Sequence, residues 1–162
     1  MRTAVMKRLG KAKEDQKGFT LIELLAVIVI LAVIAAIAVP LIGNIINKSK
    51  KDSDIATARQ IYDAARLYVT SEEAGVFPDT IKIVGTKNSS GVITEKGLIV
   101  NGYLDADIVL PSSKEKIVGG TLTFTSGQLD KVTIVAGTGT KEETWEFAGA
   151  DVIKGEGTGV KK

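Results

Sequence analysis

The sequence predicts an α+β chain. A long N-terminal α-helix, one half membrane-length and the other amphipathic, packs on a C-terminal antiparallel β-sheet of about three to four strands. Three observations carry this reading. Residues 24 to 43 contain no charge, so that stretch is about 30 Å long as a helix and matches a hydrocarbon core. Residues 53 to 73 then show apolar side chains at spacings of three and four. From Gly120 onward, apolar and polar residues alternate in short runs broken by glycine turns.

The first element is a basic leader, residues 1–18. Arg2, Lys7, Arg8, Lys11, Lys13 and Lys17 stand against Glu14 and Asp15, a net +4, while the whole chain is +2. The basic excess therefore lies beside the apolar run, and basic flanks stay on the cytoplasmic side of a membrane. This orients the leader inward and everything after the apolar segment outward.

The second element, residues 19–42, runs from Phe19 to Ile42 with a single acid, Glu23. A carboxylate inside a membrane-length segment costs roughly 2.5–3.5 kcal/mol on insertion scales, so such an acid normally has a partner and a role. A secretory signal peptide is the competing reading. Its apolar core would run only about 7–15 residues, with cleavage after small residues beyond it. Here the run is longer, and Ala36-Ile37-Ala38 lies inside it. An uncleaved signal anchor stays open. Pro40 lacks the N–H that a helix interior uses, and Gly43 is a second weak point, so a kink is expected there rather than a stop. Lys48, Lys50 and Lys51 mark the water interface.

The third region, residues 43–162, combines an amphipathic helix with an exported β domain. Ile55, Ala58, Ile61, Tyr62, Ala65, Tyr68 and Val69 share one face, with Asp54, Arg59, Asp63, Arg66 and Glu72 mostly elsewhere. Gly75 and Pro78 end the helix in the usual order. Continuous from Phe19 to Glu73, it would be on the order of 80 Å long. A short strand is expected over Thr80–Val84, a loop over Lys87–Gly91 and a short helix over Thr94–Tyr103. A three-strand meander follows over Gly120–Thr125, Lys131–Ala136 and Glu143–Phe147. The glycine-rich tail from Gly155 to Lys162 reads as flexible.

Composition excludes several chemistries. Histidine and cysteine are both absent, which removes Ser-His-Asp triads, thiolate nucleophiles, disulfides and nearly all zinc sites. No carboxylate pair in the β region has a catalytic spacing, and the glycine turns do not lie between a strand and a helix as a phosphate loop would. The reading is therefore not an enzyme, with no cofactor and no metal. Residues 19–162 sum to −2 and aromatics are 5 %, which argues against a basic nucleic-acid track with stacking rings.

The segment Lys17-Gly18-Phe19-Thr20-Leu21-Ile22-Glu23-Leu24-Leu25, with the apolar run and Pro40 after it, resembles the type IV prepilin signature. The strong part of the match covers about residues 11 to 50; the helix-plus-sheet layout beyond is similar to the pilin fold in outline. The missing C-terminal cysteine pair departs from the usual Gram-negative pattern and suggests the Gram-positive type. The resemblance implies a role for each matching residue. Gly18 would precede the cut made by a membrane prepilin peptidase. Phe19 would become an N-methylated N-terminus, and Glu23 would serve filament assembly. It also implies a homo-oligomeric helical filament, an assembly ATPase, a platform protein and minor pilins as partners. The precursor would sit as a single pass in the cytoplasmic membrane, its N-terminus inside, and the assembled pilus on the cell surface would serve adhesion, motility or DNA uptake. A pseudopilin of a competence or type II secretion system shares the signature, and a signal-anchored exported binding protein that never polymerises is the further alternative.

Overall fold

The computed structural model describes residues 19–162; the expected leader, with Gly18 and its six basic residues, lies outside them. The first element is a single 52-residue helix, α1 (Leu21–Glu72), uninterrupted through Pro40 and Gly43. Its first half is rich in valine and isoleucine, residues that also suit strands. A helix satisfies every backbone N–H and C=O within the segment, which an apolar surrounding demands. The chain divides into two compact units, one ending at Asn44 and the other running from Ile45 to Lys162, with the boundary inside α1.

In the second unit, Ile55, Ala58, Ile61, Ala65, Tyr68 and Val69 are buried as the periodicity requires, and Tyr62 packs half-buried beside them. The buried face is wider than the pattern suggested, because Asp54, Thr57 and Ala64 are also inside. The helix ends where the glycine predicts. Ala74 and Gly75 turn left-handed (φ 51° and 82°), and the Gly75 N–H donates back to the Val69 carbonyl at 3.0 Å.

The sheet holds β1 (Thr80–Lys82), β4 (Val109–Leu110), β5 (Glu115–Thr125), β6 (Gln128–Thr138), β7 (Lys141–Ala148) and β8 (Val160–Lys161). Its order is β1-β5-β6-β7-β8, with β4 also paired to β5. All pairings are antiparallel. The expected meander is β5-β6-β7, with Leu122 opposite Val132 and Val132 opposite Phe147. Ser126 and Gly127, both at positive φ, form the two-residue turn between Thr125 and Gln128, a geometry matched to the twist of a hairpin. One face of the sheet, with Ile117, Leu122, Phe124, Val132, Ile134 and Phe147, joins the apolar face of α1 in a single core.

Three expectations are corrected. The segment Thr94–Tyr103 is not helical. Its start pairs as β3 (Ile93–Glu95) with β2 (Thr86–Lys87), a separate two-stranded sheet. Turns follow, and the Leu98, Ile99 and Val100 N–H groups donate to the carbonyls of Lys82, Ile83 and Val84. The β-branched run Val92-Ile93-Thr94 favours extended backbone, and Gly97 and Gly102 leave too few residues between them for a stable helix. The tail is also not free. A short helix, α2 (Gly149–Lys154), closes on a left-handed Gly155, and β8 then pairs with the outer edge of β7. Finally, the sheet has six strands where three to four were expected, the extra ones being two or three residues long. The layout of a long helix on an antiparallel sheet is as expected.

Candidate assembly site at the start of the long helix

Of the residues singled out in the sequence, Phe19 lies just before α1 and Glu23 in its first turn, while Gly18 is outside the described residues. Thr20 precedes the helix and its carbonyl accepts the first helical bond, from the Leu24 N–H at 3.2 Å. Its backbone N–H and its hydroxyl both donate to Glu23 Oε2, each at 2.8 Å. The Glu23 N–H donates in return to Thr20 Oγ1 at 3.3 Å. This is a capping box, in which a threonine and an acid three residues later satisfy each other's orphan donors. The signal, Thr20-x-x-Glu23 ahead of an apolar run, stands in the sequence, and it gives Glu23 a partner within its own chain.

The box divides the Glu23 carboxylate. Oε2 takes both bonds from Thr20, whereas Oε1 takes none among the described residues. The acid is thus locally anchored and still has one oxygen to offer. Phe19, beside it, is 90 % exposed.

Beyond the first turn, every large apolar side chain from Leu21 to Ile46 is at least half exposed. Such a continuous apolar surface needs lipid or another apolar surface against it. The helix carrying it is long and apolar enough to cross a membrane. Pro40 and Gly43 lie in this exposed stretch, and a Cβ added at Gly43 would meet nothing within 4 Å, so packing within one chain does not require glycine there. Lys48, Lys50 and Lys51 follow, all exposed.

The second unit carries polar clusters that tie α1 to the loops. Asp54, 3 % exposed, accepts the Ser112 N–H at 2.9 Å on Oδ1. Near the other end, Glu73 Oε1 accepts from the Tyr68 hydroxyl at 2.8 Å and from Lys96 Nζ at 3.0 Å. Lys96 and Tyr68 hold the Glu73 carboxyl below its ordinary value; burial and Glu73 push the Tyr68 phenol up; and Glu73 raises Lys96. These charges satisfy one another, so the cluster reads as a structural tie. Among the described residues no group of three His, Cys, Asp or Glu is placed to hold a metal ion.

Comparison with known proteins bears on the same segment. Residues 14–39 match the family model described as the prokaryotic N-terminal methylation motif, which places Gly18, Phe19 and Glu23 inside the matched span. Over 82 residues the chain is 37 % identical to a type IV major alpha-pilin of Moraxella bovis, covering 46 % of this chain and 52 % of that relative. The chain thus spans about half the length of this relative. Over 159 residues it is 28 % identical to the type IV major fimbrial protein FimA of Dichelobacter nodosus, covering 92 % of this chain and 98 % of that one. No solved structure matches.

Proposed function

We propose that this chain, which is similar to type IV pilins in its N-terminal methylation motif and along most of its length to a type IV fimbrial protein, is a structural subunit of a surface filament. The observation that carries the proposal is the first turn of α1. An acid in a membrane-length helix is anchored by its own Thr20 through one oxygen and leaves the other open, within the methylation motif.

The course proposed is as follows. The precursor spans the cytoplasmic membrane with its basic leader inside. A prepilin peptidase cuts after Gly18, and Phe19 becomes a free, then N-methylated, amine. The open Glu23 oxygen pairs with the Phe19 amine of a neighbouring subunit. Removing one partner of such a buried pair costs about 3–5 kcal/mol, so the pair selects correct stagger and rejects misplaced subunits. The exposed apolar halves exchange lipid for one another. Because lipid is as apolar as leucine, close packing and the charge pair guide this association. Pro40 and Gly43 supply the place where the helix bends as subunits pack. An assembly ATPase, a platform protein and minor pilins complete the machinery.

The test is the intact mass and N-terminal sequence of the protein from sheared surface material and, separately, from membranes. A chain beginning at Phe19 and one methyl group heavier, found in the sheared fraction, supports the proposal. The same chain confined to membranes would assign it to a pseudopilin. A chain beginning at Met1 in both fractions would overturn the reading and leave a signal-anchored protein.

A further inference from the structure

One surface turn has no part in the assembly site and carries its own chemistry. Asn88-Ser89-Ser90 has the spacing Asn-x-Ser, the acceptor pattern for N-linked glycans, and all three residues are exposed. The turn joins β2 to β3 and is closed by four bonds to Asn88. Its N–H donates to the Val92 carbonyl at 2.9 Å, and its carbonyl accepts from the Gly91 N–H at 2.9 Å. Its side-chain Oδ1 accepts from the Ser90 N–H at 3.1 Å and the Val92 N–H at 2.8 Å. The amide nitrogen Nδ2 is the one polar atom of Asn88 with no partner among the described residues.

We propose that Asn88 Nδ2 is a glycan acceptor on the exported face of the protein. This rests on the export reading above. Two bonds on Oδ1 draw electron density from the amide and make its N–H more acidic, and they hold the side chain of an exposed residue by its oxygen alone. The donor class is a sugar activated on a polyprenyl phosphate or pyrophosphate. Nδ2 attacks the anomeric carbon, and a new C–N bond forms. The bond from that carbon to the phosphate oxygen breaks, the phosphate leaves with its electron pair, and the nitrogen's proton passes to a base of the transferase. The Ser90 hydroxyl, which makes no bond in the turn, remains available to the transferase. A glycan here would cover Val92 and Ile93, which are 60 % and 40 % exposed.

The test is the intact mass of the protein purified from its own host, with the N-terminal residue determined on the same sample. The expected mass exceeds that of the processed chain by whole sugar residues. The increment should be lost in Asn88→Gln and in Ser90→Ala, which keeps the backbone donors of the turn, and retained in Ser89→Ala. A chain beginning at Phe19 with the bare mass overturns the glycan alone. An increment that survives Asn88→Gln overturns the assignment to nitrogen. A chain beginning only at Met1 overturns the pilin processing reading, and this inference then stands on the sugar increment and falls if the uncut chain has its bare mass.

Discussion

Thr20 and Glu23 hold each other through three hydrogen bonds at the start of α1, two of them ending on a single carboxylate oxygen. The pair therefore has a local role that needs no charge, whereas the proposed pairing of Glu23 with a neighbouring amine needs one. Glutamine at the same position keeps the box, since an amide oxygen accepts the same donors, but cannot pair with an amine. Glu23→Gln is expected to leave cleavage after Gly18 intact and to cut sheared filament yield about as severely as Glu23→Ala. Filament yield at the wild-type level in Glu23→Gln would show that the cap, and not the charge, is what assembly uses. Thr20→Val should cost the helix start about 1 kcal/mol, read as lower helicity of the first turns by hydrogen exchange in detergent.

The buried Asp54 makes a second separable case. Its Oδ1 satisfies the Ser112 N–H of the loop between β4 and β5. Asp54→Ala strands that donor, and an orphaned buried group costs about 1–3 kcal/mol. Asp54→Asn keeps an acceptor oxygen and should cost less. Trp145 is the single tryptophan, so its fluorescence reports thermal unfolding of the second unit in the detergent-solubilised chain. Equal midpoints for the alanine and asparagine variants would contradict this account.

Stability should fall at both pH extremes for reasons read off one cluster. Glu73 is held below its ordinary 4.5 by Lys96 and then Tyr68, so the native state binds fewer protons than the unfolded one. Its contribution is present above about pH 4.5 and is lost as pH falls through the lower folded value. Tyr68 is raised above 10.0, first by burial, and Lys96 above 10.5 by Glu73. Their contributions are present below those values and are lost as pH rises through the higher folded ones. The unfolding midpoint is thus expected to be flat from about pH 5 to 9. Glu73→Gln should lower that plateau and flatten its acid limb. An unchanged acid limb in that variant would remove Glu73 from the explanation.

Pro40 bears on how α1 would behave in the proposed filament. A proline inside a helix removes one bond and crowds the carbonyl of Ala36, at about 3 kcal/mol or more. Pro40→Ala is expected to stiffen α1, with slower amide exchange in its neighbouring turn. If bending there serves packing, filament yield falls while processing at Phe19 is unchanged. Unaltered exchange would show that the proline costs nothing in place.

What was legible in the sequence follows what has periodicity. Ile55 to Val69 and the β5-β6-β7 meander repeat at helical and strand periods and bury as expected. The charge of Asp54 predicts an outward position; the loop carrying Ser112, 58 residues away, supplies the donor that its burial needs. The Leu98–Val100 segment and β8 are shaped by sheet edges that need partners, a requirement set by tertiary context and absent from local pattern. At the candidate site, the acid was visible at once. Its cap is equally local, in Thr20-x-x-Glu23, but a charge in an apolar run is the more conspicuous anomaly.

The tail offers the sharpest test of that tertiary dependence. β8 lies against β7 with Trp145 opposite Lys161, and Lys161 and Lys162 pair with Glu143 and Glu146 at 2.6 and 2.9 Å. Exposed ion pairs of this kind contribute little each, so close approach of the backbone must set the geometry. Gly159 allows it: an added Cβ would lie 2.5 Å from Phe147 Cε1, on a ring fully buried in the core. The ring has no room to withdraw, so Gly159→Ala is expected to release β8 while leaving β5-β6-β7 paired. Hydrogen exchange should show lost protection at Lys162, whose N–H donates to Thr144 at 2.9 Å, with protection kept between β5 and β6. Retained protection at Lys162 in the variant would mean that the strand is held by its ion pairs instead.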